Sequence, residues 1–148
     1  MDMRERELVI DATGLILGRL ASLTAKKLLS GERVIIINAE KAVVSGKKKS
    51  LLEELKSYLE IGHPGKGPYH YRRPDGILRR TIRGMLPRRK TKGKNAYKRL
   101  RVYLGVPRDL EGVKAETLKE AQAEKLKGPY VTLGELAKEI GWSGMNDV

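Results

Sequence analysis

The stretch that most constrains this chain runs from Leu8 to Ile37. Leu8 to Ala12 reads as a short buried strand, and Gly14 and Gly18 flank the turn that follows it. From Ile16 to Leu29, Ile16, Leu17, Leu20, Ala21, Thr24 and Leu28 fall on one helical face, with Arg19, Ser22 and Lys26 opposite. Gly31 then stands where a helix C-cap belongs. Val34-Ile35-Ile36-Ile37 is β-branched and apolar on every side, as in a strand covered on both faces. Strand, helix and strand within about thirty residues make a βαβ unit, which returns the chain to the same end of the sheet and makes the pairing parallel.

Further elements follow the same kind of pattern. Ala42 to Val44 is a short apolar piece leading into SGKKKS. Ser50 with Glu53 forms a capping box, and Leu51, Leu55, Tyr58 and Leu59 supply the buried stripe of a second helix. Residues 62–76 are rich in glycine and proline, which predicts a loop. Asp75 then caps a helix from Gly76 to Leu86, with Ile77, Leu78, Ile82, Met85 and Leu86 inward and Arg79, Arg80 and Arg83 outward; Pro87 ends it. RRKTKGK is too charged and too broken by glycine for a core element, so a short helix is placed at Asn95 to Leu100 and a last strand at Arg101 to Leu104.

After Pro107 the character changes. Charges alternate from Glu111 to Leu126 around Leu118, Ala121 and Leu126, and Gly128-Pro129 stops the segment. Thr132 with Glu135 is a second capping box, with Val131 and Leu136 spaced for a hydrophobic staple and a short helix running to Ile140. The expectation is an α/β domain over 1–112, with a C-terminal helical appendage over 113–148 packing on it. A chain of 148 residues suffices for one such core.

Several function classes drop out. The longest aliphatic run, Val34 to Ile37, is far short of the roughly 20 residues of a membrane span. The charged opening MDMRERELVI leads us to expect no secretory leader. There is no cysteine, and the two histidines, His63 and His70, make no zinc pattern, so no metal site is expected.

Charge placement is the strongest functional signal. The chain has 31 Lys and Arg against 18 Asp and Glu; residues 62–101 hold 14 of the former and only Asp75 of the latter, leaving 17 of each elsewhere. All of the excess lies in one stretch. Such a field attracts a polyanion, and nucleic acid is the common one. An anionic membrane calls for an amphipathic helix with large apolar anchors. This chain has no Phe, and its one Trp, Trp142, lies far from the stretch, so no membrane partner is expected.

Within and beside the stretch, residue types suit RNA. Arg72, Arg73, Arg79, Arg80, Arg83, Arg88 and Arg89 bring planar guanidinium forks that match phosphate and stack on bases. Tyr69, His70 and Tyr71 interleave with them as stacking residues. Lys66, Lys90, Lys92, Lys94, Lys98 and Arg99 complete the run. Lys47, Lys48 and Lys49 precede a capped helix, where cations oppose the helix dipole; a phosphate held jointly with the helix N-terminus would account for them. No helix-turn-helix, zinc finger or basic zipper is present, so folded RNA fits better than a DNA groove.

The rival reading is a nucleotide-dependent enzyme using the Gly14 turn. DATGLILGRLAS lacks the G-x-G-x-x-G triplet and the Gly-Lys-Ser/Thr of a phosphate loop, and Leu15, Ile16 and Leu17 fill the space a ligand needs. Asp11 has no spacing that singles out His63 or His70 as an acid/base partner. No enzyme, cofactor or small-molecule substrate is expected.

Three ordered blocks carry a family resemblance. VIDATGLILGRLAS at Val9 to Ser22, VIIINAEKAVVSGKK at Val34 to Lys48, and GMLP followed by RLRVYLGVP ending at Pro107 resemble the large-subunit ribosomal protein L-thirteen family. GPYHYRRPDGILRRTIRGMLPRRKTKGK resembles its archaeal and eukaryotic branch, and the ending YVTLGELAKEIGW suits archaeal members. The resemblance implies a three-layer α/β/α single domain around a small, mainly parallel sheet. It implies a structural protein of the cytoplasmic ribosome that binds large-subunit ribosomal RNA, supports subunit assembly beside other ribosomal proteins, and has no catalysis. It further implies RNA-facing roles for the Gly84–Pro87 turn and the Tyr69-His70-Tyr71-Arg72 loop, with Met85 and Leu86 packed, Arg88, Arg89 and Lys90 on phosphate, and DATG serving as a fold signature.

Overall fold

The computed structural model describes residues 7–60 and 72–145. Three strands, β1 (Glu7–Asp11), β2 (Arg33–Ile37) and β4 (Leu100–Val102), form a parallel sheet in the order β1-β2-β4. Leu8 lies opposite Val34, which in turn lies opposite Leu100. Helix α1 (Leu17–Leu29) makes the β1–β2 crossover that the opening pattern dictates. Its end is built from backbone: Gly31 at φ 100° donates to Leu28 O, and Glu32 N donates to Lys27 O. This paired closure needs a residue with positive φ at that place, which glycine supplies without strain.

The remaining described strands and α-helices are β3 (Val43–Ser45), α2 (Lys48–Glu60), α3 (Pro74–Gly84), α4 (Thr91–Lys98), β5 (Tyr130–Thr132) and α5 (Leu133–Glu139). β3 and β5 pair antiparallel in a second, two-stranded sheet. Ile10, Val34, Ile36, Leu100 and Val102 join Leu20, Ala21 and Leu28 of α1, Leu78 and Ile82 of α3 and Ala96 of α4 in one buried cluster. α1, α3 and α4 therefore cover the same face of the parallel sheet. Each fully buried Leu or Ile contributes about 1.5–3 kcal/mol through area removed from water.

Several boundaries differ from the sequence expectations. α2 begins at Lys48: Leu51 N donates to Lys47 O at 3.0 Å, so Lys47 takes the cap position and Ser50 lies inside the first turn. Lysine is a good helix former, so the helix extends back through Lys49 and Lys48, and the Lys47 carbonyl accepts its first bond as the carbonyl of any N-cap residue does. Leu51 and Leu55 are partly buried, whereas the side chains of Tyr58 and Leu59 lie outside the described set. α3 starts at Pro74 with Arg73 in the cap position, because proline's fixed φ suits the first helical residue. Asp75 is thus in the first turn, where its Oδ1 accepts from Gly76 N at 2.8 Å. Met85 follows the helix and is 43% exposed; of Met85 and Leu86, only Leu86 packs.

α4 begins at Thr91, inside the RRKTKGK run. Gly93 does not break it. A Cβ there would collide with the Pro87 carbonyl oxygen, so the glycine lets α4 press directly on the preceding turn.

Residues 111–126 contain two short 3-10 turns, Lys119–Ala121 and Ala123–Lys125, within otherwise irregular chain. Glu116 N donates to Val9 O at 2.8 Å and Glu116 O accepts from Asp11 N at 2.9 Å, which pairs the outer edge of β1. Ile16 N donates to Ala121 O and Ala123 N to Gly14 O. An open strand edge leaves donors and acceptors that must find partners, and this segment supplies them. Further on, Thr132 caps α5 as its spacing predicts, its Oγ1 accepting from Glu135 N at 3.2 Å, with Val131 and Leu136 both buried.

Candidate nucleic-acid interface

The amphipathic pattern of α3 places its arginines. With Pro74, Gly76, Leu78 and Ile82 buried, Arg79 is exposed and Arg80 and Arg83 are partly so. The chain then turns through Arg88, Arg89 and Lys90, all exposed, into α4, which exposes Lys92, Lys94 and Lys98. The Gly93–Pro87 contact holds that corner in one shape. Nine of the basic candidates thus lie on two helices of one layer and the turn between them.

Others lie apart or have internal tasks. Lys47, Lys48 and Lys49 are exposed at the start of α2, a helix that packs on α5. Lys48 Nζ is 3.5 Å from Glu139 Oε1, an ion pair with each side chain 48% exposed and hence of little energetic weight. Arg72 Nη1 donates to Ile140 O at 2.6 Å, and Arg73 Nη2 sits 3.3 Å from Asp75 Oδ2. Arg99 Nη2 donates to Leu28 O at 2.5 Å, placing a cation on the carbonyl end of α1, where the helix dipole favours it. Lys66, Tyr69, His70 and Tyr71 lie outside the described residues.

The glycine turn after β1 is a closed hydrogen-bond system. Thr13 N donates to Asp11 Oδ1 at 3.0 Å, Gly14 N to Lys41 O at 3.0 Å, Leu15 N to Ala12 O at 3.0 Å and Ile16 N to Ala121 O at 2.7 Å. A phosphate cradle needs these N–H groups free and pointing at the ligand. Asp11 Oδ1 also accepts from Thr13 Oγ1 at 2.6 Å and from Asn38 Nδ2 at 3.1 Å. Burial pushes the Asp11 carboxyl up, but the Thr13 and Asn38 hydrogen bonds and the Lys41 charge outweigh it and hold the group below its ordinary value. A carboxylate so placed would repel phosphate. The turn ties β1 to β2 through Asn38, which adopts the left-handed region at φ 56°.

The family profile described as ribosomal protein L13 matches residues 5–109, about seven-tenths of the chain. The chain belongs to the ribosomal protein L13 family.

Three archaeal proteins, each named large ribosomal subunit protein uL13, are similar to this L13-family chain over nearly its whole length. The one from Archaeoglobus fulgidus is 48% identical over 139 residues, covering 93% of this chain and 89% of its own. The Methanopyrus kandleri protein is 49% identical over 137 residues, covering 90% and 86%. The Methanosarcina barkeri protein is 50% identical over 135 residues, covering 90% and 96%. The family match runs through the Gly14 turn, and the names of the relatives place them in the large ribosomal subunit.

One part of the layer escaped the charge argument. α1 packs against both α3 and α4, and its exposed positions include Arg19 and Lys26. The helical pattern puts these two on the outer face, but they lie far from the charge peak in sequence. The packing of α1 against α3 and α4 sets its outer face in the same layer as theirs.

Proposed function

We propose that this L13-family chain is a structural constituent of the large ribosomal subunit, binding large-subunit ribosomal RNA through its basic residues and supporting subunit assembly without catalysis. The observation that carries the reading is the pairing of family membership with the outer surface of α3, the Arg88–Lys90 turn and α4. That surface presents nine cations, and its only acid, Asp75, is engaged by Arg73 and Gly76 N. Lys47, Lys48, Lys49, Arg72, Arg73 and Arg99, with Lys66, Tyr69, His70 and Tyr71, belong to the same proposed set.

A protein neighbour in the subunit is supported by a different region. Five of the six large apolar side chains exposed among the described residues are Tyr103, Val106, Val113, Tyr130 and Met145. Residues 102–148, which hold them, carry six basic and eight acidic side chains, so RNA has little to attract it there.

The test is sedimentation of native lysate through a sucrose gradient in low magnesium, which separates the subunits. A near-stoichiometric band with the large subunit, resisting moderate salt, is the expected result. Protein at the top of the gradient, free of particles, would overturn the reading. With about eight phosphates engaged, log K for purified protein and ribosomal RNA should fall against log salt with a slope of roughly −6.

A further inference from the structure

We infer that α1 is the third member of the RNA-binding surface, and that the layer α1, α3 and α4 takes a base-paired RNA segment across its width. The inference rests on the RNA reading above and extends it to residues outside the basic stretch.

Its first support is continuity. α1 shares its sheet face with α3 and α4 and packs against both. The Arg99 hydrogen bond to Leu28 O joins the end of α4 to the end of α1, so the two helices present one surface. Exposed on α1 are Gly18, Arg19, Ser22 and Lys26, while Leu20, Ala21, Thr24, Ala25 and Leu28 are buried. No acid occurs anywhere in α1, and neither Arg19 nor Lys26 has an acidic partner among the described residues. Asp75, engaged at the start of α3, is the single acid in all three helices.

Gly18 is an independent second support. Glycine in a helix is unfavourable relative to alanine, and a fold keeps one where φ is positive or a neighbour presses in. Gly18 has neither reason: nothing lies within 4 Å of where its Cβ would be, in contrast to Gly93. It is exposed, one residue before Arg19 and one helical turn before Ser22. A bare backbone there leaves room for a ligand to approach α1 closely, beside the arginine that would hold its phosphate.

The dimensions argue for two strands. Thirteen residues make α1 about 20 Å long, and packed helices lie about 8–10 Å apart. The cationic surface is therefore two to three helices wide rather than a single track. Base-paired RNA presents phosphates on both sides of its shallow groove and is recognised through them and its 2′-hydroxyls, which is the ligand such a surface matches.

The experiment measures binding of the full-length protein to protein-free large-subunit ribosomal RNA over a series of salt concentrations. Arg19→Ala with Lys26→Ala should weaken binding about tenfold and make the salt slope shallower by about two, one phosphate for each cation removed. Gly18→Ala should raise Tm, because alanine is the better helix former, and yet weaken binding severalfold. A merely structural glycine would move both together. A mixed-sequence RNA stem should displace the ribosomal RNA better than an unstructured strand of equal charge.

If both α1 variants bind as the wild type while the Arg79, Arg80 and Arg83 alanine variant is weakened, α1 lies outside the surface and the RNA reading survives. If the unstructured strand competes better, the two-strand assignment is wrong. If the wild type shows no salt-dependent binding, the RNA reading falls and this inference with it.

Discussion

The helical layer and the C-terminal segment share one apolar core but differ in the charge they turn outward and in how much main chain ties them to the sheet. α1, α3 and α4 bury a stripe of Leu, Ile and Ala and turn nearly pure positive charge outward. The segment from 103 onward has balanced charge and is stitched in by backbone hydrogen bonds, to β2 through Tyr103 N and Ile36 O, to β1 through Glu116 and to the Gly14 turn through Ala121 and Ala123. The cations of the layer repel one another, and a bound polyanion of the kind proposed would relieve that repulsion. The segment buries Leu104, Leu118, Leu133 and Trp142 in that same core and adds these main-chain bonds, and neither depends on a ligand. Substitutions in the first region should therefore move binding, and those in the second should move folding.

The largest effect expected is on binding. Replacing Arg79, Arg80 and Arg83 together by alanine removes three cations from α3 without touching Leu78 or Ile82, so affinity for ribosomal RNA should fall about a hundredfold or more near 0.1 M salt while Tm holds or rises. Lys114→Ala with Lys119→Ala in the other region should leave affinity nearly unchanged. Equal losses in the two variants would erase the contrast between the regions.

Gly93→Ala comes next and crosses between the two readouts. The added Cβ collides with the Pro87 carbonyl, a backbone atom that cannot swing aside, so α4 must shift. The expected loss is about 1–3 kcal/mol in urea unfolding, with weaker RNA binding because Lys92, Lys94 and Lys98 move with the helix. A variant as stable as the wild type would mean that the corner is pliable.

Asp11 gives a pH-dependent version of the same comparison. Its carboxyl lies below the usual range when folded, so it contributes stability that is full above that range and is lost as pH falls through about 4 and lower. Asp11→Asn should cost about 1 kcal/mol at neutral pH and flatten the acid limb of stability against pH. An unchanged acid limb would show that other carboxylates govern it.

What could be foretold from the residues follows from how local each cause is. β1, α1 and β2 emerge from Leu8 to Ile37 because their patterns close within one turn or one strand, and the α3 arginine face emerges because its apolar partners alternate with it at helical spacing. The start of α4 was misplaced because the need for Gly93 lies in Pro87, which periodicity does not register. The irregular course of 111–126 is set by the open edge of β1, a hundred residues earlier in sequence, and no local count of charges reports it. Likewise Arg19 and Lys26 have no charge peak around them in sequence; only the packing of α1 against α3 and α4 puts their face in the same layer.

The smallest effect separates two caps that look alike in sequence. Ser50-Leu51-Leu52-Glu53 and Thr132-Leu133-Gly134-Glu135 both match the capping-box spacing. Only Thr132 occupies a cap, its Oγ1 on Glu135 N; Ser50 is inside α2, exposed, with Lys47 O taking the first helical bond. Thr132→Ala should thus cost about 1 kcal/mol, felt in the C-terminal region and silent in RNA affinity. Ser50→Ala should change stability by less than about 0.5 kcal/mol, since alanine is the better interior helix residue and no cap is lost. Thermal unfolding of the two variants side by side decides it. Equal destabilisation would mean that α2 begins at Ser50 after all, which would put Lys47, Lys48 and Lys49 ahead of the helix instead of in its first turn.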